Sequence, residues 1–106
     1  MTMEIPQVQP SDVPDPVPDD LVVLDVREAD EFVAGHIAGS VHIPMMEVPA
    51  RMAELPPDRR LLVVCAVGAR SARATAFLNA QGHDAVNLAG GVVAWFQSGR
   101  SIVTDD

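Results

Sequence analysis

Residues 61–82 read LLVVCAVGARSARATAFLNAQG, and the fold of the whole chain follows from them. Four apolar, mostly branched residues, Leu61 to Val64, form a buried strand signal. The alanine-rich run 71–81 places Ala74, Phe77 and Leu78 on one helical face at i, i+3, i+4 spacing. Gly82 follows, a residue that takes positive φ just past a helix end. Between strand and helix lie Cys65, Ala66, Val67, Gly68, Ala69 and Arg70. The only cysteine of the protein therefore sits where a buried parallel strand ends and a helix begins.

A loop feeding a helix N-terminus turns backbone N–H groups toward one point, and the helix dipole adds partial positive charge there. A thiol at that point is pushed toward thiolate, because the amides stabilise the charged form. Gly68 lets the backbone turn where a Cβ would clash. Arg70 is expected to fold its guanidinium back across the amides and help hold the thiolate, or else to close the loop structurally. Taken alone, Cys65 reads first as a small buried apolar residue. It is the spacing Cys-x-x-Gly-x-Arg-Ser, set between strand and helix, that favours a nucleophile at the base of an anion cradle.

Residues 65–71 resemble the active loop of the rhodanese-like (sulfurtransferase) domain family, a six-residue ring that starts at a nucleophilic cysteine. Residues 21–44, LVVLDVREADEFVAGHIAGSVHIP, are similar to that family's first signature, and residues 87–95, NLAGGVVAW, to its closing Gly-Gly-x-x-x-Trp. The resemblance implies a rhodanese-like α/β fold: three α/β/α layers around a mainly parallel sheet of about five short strands. It also implies Cys65 as the catalytic residue, with Ala66, Val67, Gly68, Ala69, Arg70 and Ser71 binding substrate. Asp25, Arg27 and His36 would support the loop. The implied chemistry passes a sulfane sulfur from a small anionic donor such as thiosulfate to a thiol or protein acceptor through a persulfide on Cys65, without metal or organic cofactor. A domain that carries sulfur or binds a partner without turnover is the alternative. A cysteine phosphatase is a further one, but its loop has one more residue between cysteine and arginine.

The flanking residues admit plainer roles. Asp25 and Arg27 read best as structural support at a strand's end. His36 reads as a buried, hydrogen-bonded histidine, since a general base needs hydrogen-bond reach of Cys65. His42 and His83 lack metal-ligand spacing with each other or with Cys65. Arg59 and Arg60 precede the central strand, roughly 15 Å from Cys65 at strand rise. Trp95 reads as a core anchor. Ala66 and Val67 put no charge next to the cysteine, so Arg70 is the loop's one side-chain cation and weak capture of thiosulfate is expected.

With 106 residues the chain is expected to form one domain over its whole length, with a Pro/Asp-rich segment at 1–20 and a C-terminal tail at 98–106. All seven basic residues are arginines against fifteen acids, and the net charge of −8 argues against nucleic acid and anionic membranes as partners. The first ten residues have neither a basic region nor an apolar one, so no signal peptide is expected. The longest apolar run, residues 61–67, is far short of a membrane span. A lone cysteine makes no internal disulfide, and a cytoplasmic, reducing setting is the simplest expectation.

Further elements follow the same logic. An edge strand is expected at 5–8, an extended connector at 10–20, and a strand at 21–25. A short helix is expected at 28–34, with Ala29, Phe32 and Val33 on one face. A strand at 40–43 should precede a helix from about Val48 to Leu55, stopped by Pro56 and Pro57. Residues 85–87 should form a strand, with Gly90 and Gly91 turning the chain into a last helix at 92–97. The tail carries no clear signal.

Overall fold

Strand β4 (Arg60–Val64) is the middle of a five-stranded sheet, and its residues Leu61, Leu62, Val63 and Val64 are wholly buried. That is why the sequence there is an unbroken apolar run rather than an alternating one: both faces of the sheet are covered. In this computed structural model, residues 5–104 are described. The first four residues of the expected N-terminal segment and the last two of the expected tail lie outside them.

The order along the chain is β1 (Gln7–Val8), β2 (Leu21–Asp25), α1 (Ala29–Ala34), β3 (Val41–His42), α2 (Val48–Arg51), β4, α3 (Ala69–Ala80), β5 (Ala85–Leu88) and α4 (Gly91–Gln97). In the sheet the strands stand β1-β5-β4-β2-β3, all parallel. Successive side chains point to opposite faces. Leu61 and Val63 pack with Leu24, Ala74, Leu78, Val48 and Leu55 beneath α2 and α3. Leu62 and Val64 pack with Val23, Val86, Val92 and Trp95 beneath α4. Each large aliphatic side chain buried this way contributes roughly 1.5–3 kcal/mol. The expected three layers around a parallel sheet are present.

Helix α3 begins two residues earlier than the apolar periodicity suggested. Gly68 is its N-cap at φ 104°, a left-handed conformation favouring glycine. Ala74 and Leu78 are buried and Phe77 half-buried, as expected. At the far end Gly82, φ 95°, lets its own N–H reach the Asn79 carbonyl and the His83 N–H reach that of Leu78.

Three elements differ from what the local sequence pattern shows. Helix α1 buries none of its residues, and Val33 is 66% exposed. Phe32 lies in a stack of rings instead, with its centroid 3.8 Å from that of His36 and 4.4 Å from that of His42. Six residues are too few for a periodicity to fix which side meets the sheet. The single helix expected from Val48 to Leu55 is a four-residue α-helix between two 3₁₀ turns, Met45–Glu47 and Met52–Glu54. The unremarkable tail is a closing strap. Trp95 Nε1–H donates to the Ser101 carbonyl, the Arg100 guanidinium lies 3.9 Å over the Trp95 ring, and Val103 exchanges two backbone hydrogen bonds with His36.

Candidate active site

The loop after β4 is shaped from below by α4. The Cys65 carbonyl accepts the N–H of Val92 and the Ala66 carbonyl that of Val93, at 2.8 and 3.1 Å. These are N–H groups at the start of a helix, which have no partner inside it. With those carbonyls drawn toward α4, the amides that follow face the other way, into the loop. The approach is so close that Gly91, φ 63°, has no room for a side chain: a Cβ there would stand 2.4 Å from the Cys65 oxygen.

Three donors converge on Cys65 Sγ. The N–H of Gly68 stands at 3.1 Å, the N–H of Ser71 at 3.3 Å, and the Ser71 hydroxyl at 3.3 Å. Burial pushes the thiol up. The Ser71 hydroxyl and N–H, with the N–H groups of Gly68 and Val67, outweigh it, so Cys65 titrates below an ordinary thiol. The sulfur lies at the N-terminus of the twelve-residue α3, whose dipole acts in the same sense.

Ser71 is itself held by Asn87. The Asn87 amide nitrogen donates to the Gly68 carbonyl and to Gln7 Oε1, so its oxygen faces the Ser71 hydroxyl at 2.5 Å. One hydroxyl proton then serves two acceptors, Asn87 Oδ1 and Cys65 Sγ, and ionisation of the thiol draws it to the sulfur. Ser71→Ala removes this donor and leaves the amides. We expect the thiol to titrate higher and alkylation by iodoacetamide at neutral pH to slow on the order of tenfold, the worth of one charge-assisted hydrogen bond. An unchanged pH profile would show that the backbone alone holds the thiolate.

Arg70 departs from expectation. Its guanidinium does not fold across the amides but makes a bidentate ion pair with Glu31, both N–O distances being 2.8 Å. The cause is topological. β2 and β4 are parallel neighbours in register at Asp25 and Val64, so α1 and α3 start side by side, and an acid in one first turn meets an arginine in the other. Arg70 foremost, against burial, holds the Glu31 carboxyl down at about 2, helped by the Glu28 N–H and the charges of Arg70 and Arg27. Because that lies below the value in an unfolded chain, the pair's stabilisation is complete above about pH 4.3 and fades as pH falls toward 2.

Asp25 and Arg27 form a buried clamp beside the loop. Arg27 gives its backbone N–H and its Nε to Asp25 Oδ1, and its Nη2 to Asp25 Oδ2 and the Gly35 carbonyl. Both partners are nearly inaccessible, so the pair is structural in geometry. His36 is buried, and its Nδ1 stands 2.8 Å from the Phe32 carbonyl, which only accepts, so that nitrogen carries the proton. Beside Ala66 an open groove of about 360 Å³ is lined by the apolar Val92, Val93, Phe96 and Ile102, with Arg27 and Gln97 at its margin. Among the described residues, no group of three or more His, Cys, Asp or Glu is placed to hold a metal ion. Among them, too, no helix is long and apolar enough to cross a membrane.

A family model described as "Rhodanese-like domain" matches residues 10–98, from the 3₁₀ turn Pro10–Asp12 to the residue just past α4. This chain belongs to the rhodanese-like domain family. A protein of Allochromatium vinosum named "Sulfurtransferase" is 39% identical over 89 residues, 83% of each chain. A "Thiosulfate sulfurtransferase GlpE" of Stutzerimonas stutzeri is 36% identical over 86 residues, covering 80% of this chain and 79% of its own. The crystal structure of a rhodanese-related protein from Thermoplasma volcanium superposes with a TM-score of 0.88 at 34% identity, covering 94% of this chain and 99% of that one.

In this rhodanese-like domain, Gly68 and Ser71 meet at the Cys65 sulfur, while Arg70 turns aside to Glu31. Two polar residues of the site escaped the sequence reading. Asn87 carried a signal, as the one polar side chain in the otherwise apolar strand AVNL. Glu31 reads as an ordinary helix-capping acid until β2 and β4 are known to be neighbours.

Proposed function

We propose that the protein is a sulfurtransferase in which Cys65 carries the sulfur. The observation that carries the reading is the convergence of the Gly68 N–H, the Ser71 N–H and the Ser71 hydroxyl on one sulfur atom. Donors so placed stabilise a thiolate at rest and a persulfide anion one atom further out. The Cys65 thiolate attacks the outer sulfur of a donor such as thiosulfate. The donor's S–S bond breaks, sulfite leaves with the electron pair, and Cys65 becomes a persulfide anion. A thiolate, a cyanide ion or a protein thiol then takes the outer sulfur, and the Cys65 thiolate returns. Ala66, Val67, Gly68, Ala69, Arg70 and Ser71 form the ring that receives the donor, while Asp25, Arg27 and His36 support it. The relatives named as sulfurtransferases favour this reaction class.

Covalent transfer of this kind predicts ping-pong kinetics. With thiosulfate and cyanide varied together, double-reciprocal plots should be parallel. Intersecting lines would mean that both substrates must be bound at once, and would contradict a persulfide intermediate. A sulfur carrier serving one protein partner is a second reading, favoured by the apolar rim of the site: Val67 is 63% exposed, Val93 43% and Phe96 65%. Persulfide formation without multiple turnover on small acceptors would select it.

A further inference from the structure

The ring contains one cationic side chain, and that cation is already taken. Each terminal nitrogen of Arg70 faces one oxygen of Glu31, so the edge of the guanidinium best suited to an oxyanion is occupied. Glu31 is anchored a second time, since its Oε1 also accepts the Glu28 N–H at 3.0 Å. The side chains of the pair are 39% and 31% exposed, which places the pair within reach of solvent at the side of the loop. Beyond this neutral pair, the exposed large side chains beside the loop are apolar, Val67, Val93 and Phe96, and the groove along Val92 and Ile102 has at its margin only Gln97 and Arg27, itself paired with Asp25.

We propose that Glu31 determines donor specificity by holding Arg70 out of the anion cradle, so that the loop discriminates against dianionic donors and accepts monoanionic donors with an apolar body, such as alkyl persulfides. The inference rests on the reading of Cys65 as the sulfur-accepting nucleophile. With thiosulfate, a charge of −2 approaches an anionic thiolate with no uncommitted side-chain cation in the ring. With an alkyl persulfide, the incoming charge is −1 and the alkyl group meets the apolar rim. The thiolate attacks the outer sulfur, the S–S bond breaks, and the alkyl thiolate leaves with the electron pair. Glu31 keeps its charge across the neutral range, because its carboxyl titrates at about 2.

Glu31→Gln tests this. Glutamine at the same position accepts the Glu28 N–H as glutamate does, so α1 keeps its cap, while the charge that neutralises Arg70 is gone. Two readouts are compared in wild type and variant: the ratio of Cys65 alkylation rates by anionic iodoacetate and neutral iodoacetamide, and steady-state kinetics with thiosulfate and tert-butyl persulfide. In the variant the alkylation ratio should rise several-fold. The KM for thiosulfate should fall roughly tenfold at low salt with kcat little changed, as a freed cation predicts. The KM for tert-butyl persulfide should stay within about twofold, and the double variant with Arg70→Ala should lose the gain. Sulfur uptake by Cys65 with an unchanged or lowered alkylation ratio and an unchanged or raised KM for thiosulfate would overturn the role of Glu31 alone. A raised ratio with no sulfur accepted from either donor would overturn the reading of Cys65, and the specificity proposal with it.

Discussion

Gly91→Ala is expected to cost roughly 3 kcal/mol or more of stability, the sum of a strained backbone and an overfilled contact. Two causes act together. At φ 63° any L side chain is strained, and the new Cβ would enter within 2.6 Å of the Cys65 oxygen and of the Ala66 carbonyl carbon and oxygen. Those are backbone atoms at the end of the central strand, without the freedom of a side-chain tip to swing away. If α4 moves outward, Val92 and Val93 lose their bonds to the Cys65 and Ala66 carbonyls, which are what turn the following amides toward the sulfur. The same substitution should therefore raise the titration of Cys65 in whatever fraction folds. The denaturant midpoint gives the first effect and the pH dependence of iodoacetamide alkylation the second. A midpoint and a profile both equal to wild type would show that the loop is not set by its approach to α4.

Cys65→Ser is expected to abolish sulfur transfer to the level of the uncatalysed reaction while changing stability by only about 1 kcal/mol. Serine keeps an acceptor for the Gly68 and Ser71 N–H groups, so no buried donor loses its partner. Its hydroxyl does not ionise near neutral pH and forms no bond to a sulfane sulfur that a thiol can reverse. Cys65 is the protein's sole thiol, so no second nucleophile can stand in. Residual transfer in the purified, folded variant would remove Cys65 from the reaction.

What the sequence revealed and what it hid divide along contact distance. The strand β4, the loop and α3 are contiguous, and their signals (a branched apolar run, a turning glycine, an alanine-rich helix) are local, so they were legible as a unit. The Asp25–Arg27 clamp spans two residues and was legible too. The partner of Arg70 lies 39 residues away in α1, and that of Ser71 16 residues away in β5. Neither follows from spacing until the order of the strands is known. The tail is the extreme case. Arg100 donates to the carbonyls of Pro10 and Pro14, some 90 residues earlier, and no local pattern marks an arginine for such a task. The inward face of α1 failed for the opposite reason: its signal was local but too short, and the stack of Phe32 between His36 and His42 decided it.

The most direct test of the account is the intact mass of the wild-type protein after brief exposure to a sulfane-sulfur donor and removal of the excess. The account predicts a gain of one sulfur atom, located on Cys65, absent from Cys65→Ser and lost again on addition of a thiol acceptor. A wild-type protein whose mass is unchanged by thiosulfate, by mercaptopyruvate and by an alkyl persulfide alike would contradict it.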